Sequence, residues 1–140
     1  MGQWAYFELL AKEAAKILVA GWPITALLLL LVVAAAAWHH GELKAALAVH
    51  SLWQLMPLAV PVGLLALGTW YVCHLCSHNP NVWAMRTGHL LLIGQLVLGA
   101  LLVRAASPLR LLAASLQLFI LWVSCVTGFL AFMSMSGDWL

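Results

Sequence analysis

Charge is what this sequence has least of. Six Lys or Arg and four Asp or Glu are spread over 140 residues, 7% of the chain, whereas a soluble globular domain carries about 25%. So few ionic groups cannot clothe a folded surface in water, which points to lipid as the alternative solvent. The net charge of +2 is small and no basic run is present, so nucleic acid is not an expected partner. There is no internal repeat. The glycine after Met1 is followed by Tyr6 where a myristoylation signal wants Ser or Thr, so no lipid anchor is expected.

What fills the chain instead is hydrocarbon. Hydrophobic residues make up 66% of it, at a mean hydropathy of +1.06. No Asp, Glu, Lys or Arg occurs between Lys16 and Glu42, Lys44 and Arg86, Arg86 and Arg104, or Arg110 and Asp138. A membrane helix needs about 20 apolar residues. The first, third and fourth gaps each fit one crossing, and the longer second gap fits one crossing plus a polar, uncharged loop. The expected spans are 17–38, 46–75, 87–106 and 109–133. Ala34 to Ala37 resembles a leader cleavage site, but the apolar run is too long and Glu8 and Glu13 precede it, so a retained anchor is expected.

Tryptophan supports these limits. Trp22 and Trp38 bracket the first span and Trp53 and Trp70 the second, each pair about 25 Å apart at 1.5 Å per helical residue. Trp83 precedes the third span and Trp139 follows the fourth, as interfacial aromatic belts predict. Trp122 alone falls inside a span and must pack on a neighbour or face lipid. Residues 1–16 show helical periodicity, with Trp4, Phe7, Ala11, Ala14 and Leu18 on one face and Glu8, Lys12 and Lys16 opposite. Two readings compete: an amphipathic interfacial helix that turns at Gly21-Trp22-Pro23, or an early start to the first membrane helix. The expected fold is an all-α, four-transmembrane-helix up-down bundle over 17–140 with a short N-terminal amphipathic helix. Short connections make sequential helices antiparallel. Pro57 and Pro61 should bend the second helix. Ala59 with Gly63, and Ser124 with Gly128, are small-residue pairs where helices approach closely. Lys12, Lys16 and Arg86 on one side balance Lys44, Arg104 and Arg110 on the other, so the count of positive charges leaves the orientation open.

Polar side chains gather at the two rims. Cys73, His74, Cys76 and His78 adjoin one rim, with His89 one turn into the third span; His39, His40 and His50 lie at the other. Histidines at matched depth on different helices are how a bundle holds b-type haem or borders a quinone. His74, His78 and His89 form the first candidate site, and His39, His40 and His50 a second. Cys73, Cys76, His74 and His78 are the candidate metal ligands. Cys73 and Cys76 also make a C-x-x-C pair. Quinone-linked disulfide-forming membrane enzymes share that motif on four helices, but they need a second, loop-borne pair. Here the one remaining cysteine is Cys125, inside the last span.

A third reading needs no cofactor. Gln54, Gln95, Gln117, Ser115 and Thr127 serve in it as hydrogen-bonding glue between helices. No Asp, Glu or Lys falls inside a span, which disfavours ion-coupled transport. The leading expectation is a small bacterial inner-membrane subunit that anchors or assembles a larger complex without catalysis of its own. Its partners would be the bilayer and other membrane subunits or further copies of itself. An electron-transfer anchor holding haem b or quinone is the alternative.

Overall fold

The computed structural model describes residues 3–38, 54–71, 82–107 and 109–136, and among them every regular element is helical. α1 spans Gln3–Ala20 and α2 Trp22–Trp38; α3 spans Ala59–Trp70, α4 Val82–Ala105 and α5 Arg110–Ser136. Two of these, α4 and α5, are long and apolar enough to cross a bilayer, and α1 with α2 adds a third if that bent pair is one span. α3 is shorter.

α5 is the axis of the molecule, and α1, α2, α3 and α4 all pack on it. Its composition explains this. Ala113, Gln117, Ile120, Ser124, Thr127, Gly128, Ala131 and Ser134 are all buried, and most are small, so neighbouring backbones come close. The tightest crossing is at Gly68 of α3, where an added Cβ would stand 2.9 Å from the Cα of Ala131. That proximity lets the Ser134 hydroxyl donate to the Gly68 carbonyl at 2.8 Å. Its only proton is then committed, so Tyr6 of α1 donates in the 3.3 Å contact between the two hydroxyls.

Contacts fix the directions. Gly88 of α4 meets Phe132, and Gly99 meets Gln117, so α4 and α5 are antiparallel. Leu64 touches Gly128 and Gly68 touches Ala131, which makes α3 parallel to α5. α1 runs down α5 from Ser134 to Trp122, which faces Gly21. Its buried stripe is Leu10 and Ala14, flanked by Phe7, Ile17 and Leu18 and packed against Leu65, Val126 and Leu130. Trp4 lies off this stripe, 86% exposed. Outside it, Lys12 pairs with Glu8 at 2.8 Å and Lys16 with Glu13 at 2.6 Å.

The chain bends by 83° between α1 and α2, at the Gly21-Trp22-Pro23 turn that the sequence suggests. Pro23 has no N–H to give to Val19, so the ladder is interrupted. The Thr25 hydroxyl compensates by sitting 3.0 Å from the Leu18 carbonyl and 3.2 Å from that of Gly21. Trp122 Nε1–H of α5 donates to the same Thr25 oxygen at 3.1 Å. The one tryptophan expected inside a span, Trp122, is therefore the strut of the bend. Past it, Ala35 is the one fully buried residue of α2, with Ala26, Leu28, Val32 and Ala36 half-buried and the rest exposed.

The proline expectation takes a specific form. The helical residues at 54–55 tighten into a 3-10 turn at Met56–Leu58 before α3 begins, with Pro57 in its first positions and Pro57 and Pro61 both buried. Of the small-residue pairs, Ser124 and Gly128 are buried on α5, Gly128 meeting Leu64 and Leu92. Ala59 is exposed, and Gly68 makes the close approach instead.

Candidate functional site

Of the candidate histidine and cysteine ligands, only His89 falls among the described residues. His39, His40, His50, Cys73, His74, Cys76 and His78 lie outside them. His89 is exposed on α4, and its Nδ1–H donates to the Met85 carbonyl at 2.7 Å. A carbonyl only accepts, so Nδ1 carries a proton, and in the neutral ring the lone pair is then on Nε2. The ring stacks on Phe132 at 4.5 Å and 21°. Phe132 has room because residue 88 is glycine; a Cβ there would come within 2.6 Å of the Phe132 ring. Among the described residues no three His, Cys, Asp or Glu side chains converge on a possible metal position. Cys125 is an exposed thiol on α5.

The structure draws attention to a different group, the glutamines Gln54, Gln95 and Gln117. Gln117 of α5 donates from Nε2 to the backbone carbonyl of Gln54 at 3.1 Å and to its Oε1 at 3.4 Å. Gln54 donates in turn to the Leu102 carbonyl of α4 at 3.4 Å. One side-chain pair thereby ties three segments of the bundle at a common level. Gly99 faces this pair, since a Cβ there would stand in van der Waals contact with Gln117, 3.4 Å from its Oε1.

Gln95 lies one helical turn before Gly99, on the same side of α4. It is 3% exposed, and neither its Oε1 nor its Nε2 has a hydrogen-bond partner. Leaving a buried donor or acceptor unpaired costs about 1–3 kcal/mol, and a carboxamide has one of each. Gln95 and Gln117 both line a groove of about 430 Å³ between α4 and α5, with the Gln95 amide atoms enclosed behind its surface. The walls are Leu96, Ala100, Val103, Ala114, Leu118 and Leu121. No charged side chain lines it, so its chemistry is that of two neutral amides in an apolar trough.

The other proposed glue residues act differently. Ser115 donates to Leu112 within its own helix, and Thr127 to Val123 and Ser124. The links between elements that sequence reasoning missed are those of Ser134, Tyr6, Thr25 and Trp122. For Ser134 a signal exists, since it continues the series 120, 124, 127 and 131 at helical spacing.

No family model, curated protein or solved structure matches the chain. The functional reading therefore rests on its own geometry.

Proposed function

We propose that this chain is a small multi-pass subunit of a bacterial inner membrane that anchors or assembles a larger complex, without catalysis of its own. In this reading it crosses four times, the first crossing being broken at Gly21. The alternating directions of α3, α4 and α5 support that count. The observation that carries the reading is the uneven burial of its apolar helices. Half of the most apolar stretch of α5 is covered within the chain, but only 17% of that of α4. Leu90, Ile93, Val97 and Leu101 form an exposed stripe along α4, and α2 adds a second uncovered face. Helices so little used internally are suited to contact with lipid and neighbouring subunits.

The test is native electrophoresis and cross-linking of the chain in mild detergent, next to a variant with Leu90, Ile93, Val97 and Leu101 all replaced by Ala. The wild type should run in an assembly of fixed stoichiometry. The variant should leave that assembly while keeping its helical circular dichroism. A wild-type chain that runs as a lone monomer from freshly solubilised membranes would refute the proposal.

One observation favours the electron-transfer alternative. The Nδ1–H bond to Met85 selects, for the neutral His89 ring, the tautomer with its lone pair on Nε2, the form a haem iron or a quinol hydroxyl requires. In that reading His89 would act with His74 or His78 at one rim, with His39, His40 and His50 as the second set. A reducible Soret band that disappears in His89→Ala supports it; a colourless purified protein rejects the haem form.

A further inference from the structure

We propose that the groove between α4 and α5 binds a neutral, lipid-soluble molecule whose carbonyl or hydroxyl headgroup pairs with Gln95 and whose apolar tail lies between the helices. This inference is independent of the complex-subunit reading, since a scaffold and a free-standing protein could both hold such a ligand.

The argument starts from the unpaired carboxamide. Gln95 is almost completely enclosed, yet both its polar atoms lack a partner. Hydrocarbon beside a membrane helix offers none. Buried polar groups in native proteins are nearly always satisfied, so each exception asks for its missing partner. A carboxamide presents a donor and an acceptor side by side. It can therefore receive a carbonyl through Nε2 or a hydroxyl through Oε1.

Space and charge narrow the occupant. At about 430 Å³ the groove is within the ~300–1,000 Å³ range of small-molecule sites, and far larger than one water requires. Its walls are Leu, Val and Ala from both helices, with no ionic side chain among them. That lining suits a neutral headgroup and gives a phosphate or carboxylate no counter-ion. A third helix is a poorer fit, because the Gln95 amide atoms lie behind the groove surface, where a slender headgroup meets them once that side chain turns and a helix surface does not. Two sources share this chemistry: a membrane quinone and a neutral acylglycerol.

The test uses the full chain in detergent, titrated in separate arms with a decyl-substituted benzoquinone and with a monoacylglycerol, and read by native mass spectrometry. The variants are Gln95→Leu and Leu118→Trp. Leu118 is half-exposed at the groove edge, so tryptophan there obstructs the trough without entering the core. The expected result is saturable binding of one equivalent of at least one probe. Affinity should fall at least tenfold in Gln95→Leu and be lost in Leu118→Trp. Ligand-free Gln95→Leu should also melt higher than the wild type, because it removes an unpaired buried amide; that readout shows the variant is folded. Quinone binding alone assigns a redox lipid, and acylglycerol binding alone a structural lipid. No saturable uptake of either probe overturns the proposal, as does binding that Gln95→Leu leaves unchanged. A wild-type dimer that Leu118→Trp dissociates, with neither probe bound, would make the groove a contact between copies and also overturn it.

Discussion

At the scale of single residues, the polar atoms of this chain divide by whether they reach across to another element. Ser115, Ser124 and Thr127 give their protons to carbonyls of their own helix, which satisfies them but joins nothing. Ser134 reaches Gly68, and Trp122 reaches Thr25. Reaching across depends on the residue opposite. Ser134 succeeds because the backbone at Gly68 is bare, and Gly68→Leu tests this directly. A Cβ at 68 would already overlap Ala131, so α3 and α5 must separate and the Ser134 bond must break. Overpacking of this kind costs about 1–3 kcal/mol, and a lost interhelical hydrogen bond in a membrane adds about 0.6. The thermal midpoint in detergent should fall clearly, whereas the same change at Gly94, which has open space around it, should shift it little.

The same scale shows what sequence could and could not reveal. Gln54 and Gln117 are legible as glue, because a glutamine in an apolar run needs a partner on another helix. That Gln95 would lack one was not legible, since the deficiency depends on where Gln117 turns. Ser115 and Ser134 look alike in sequence and differ only in what faces them. The histidine and cysteine rims remain expectations, apart from His89, because the other members lie outside the described residues.

At the scale of elements, charge gaps located the helices but not their ends. The third span was expected from Thr87, yet α4 begins at Val82. Arg86 sits on an exposed face of its first turns, 5.7 Å over the Trp83 ring, and interrupts nothing. An ionic residue marks where an apolar run stops, and a helix is free to continue past it. The 83° bend is the converse case, in which apolar sequence continues and the helix does not. Its cause is shared between Pro23, which removes a backbone donor, and the Thr25–Trp122 pair, which holds the new direction. Pro23→Ala alone should therefore leave the bend, whereas Pro23→Ala with Thr25→Val should straighten it. Spin labels at Lys12 and Val33, both exposed, make this measurable once the native cysteines are replaced. The separation of the helix axes should be about 24 Å when bent and about 31 Å when straight, from the rise per residue. A double variant that keeps the shorter distance would place the cause elsewhere.

At the scale of the whole molecule, the arrangement is lopsided: one buried axis and several helices that each use one narrow face. The alternation of α3, α4 and α5 was readable from short connections between apolar runs. The alignment of α1 along the C-terminal half of α5 was not, because the apolar face expected through Trp4 and Ala11 is turned by packing to one centred on Leu10 and Ala14. The paired charges of α1 face outward beside that half of α5. Each ion pair is internal to the helix, so α1 presents a nearly neutral polar stripe to whatever lies next to it.

The position of α5 also has a consequence in time. It is the last described helix to leave the ribosome, yet every other helix packs on it. Until it is made, α1, α2, α3 and α4 have little to fold against and must wait in the bilayer as loosely associated segments. Chains released after Ala106 should insert but be cleared quickly, and pulse-chase labelling should show their half-life well below that of the full chain. Supplying 107–140 as a separate fragment should restore it. Assembly would then be controlled by the synthesis of α5, which gives membrane quality control a defined interval in which to act.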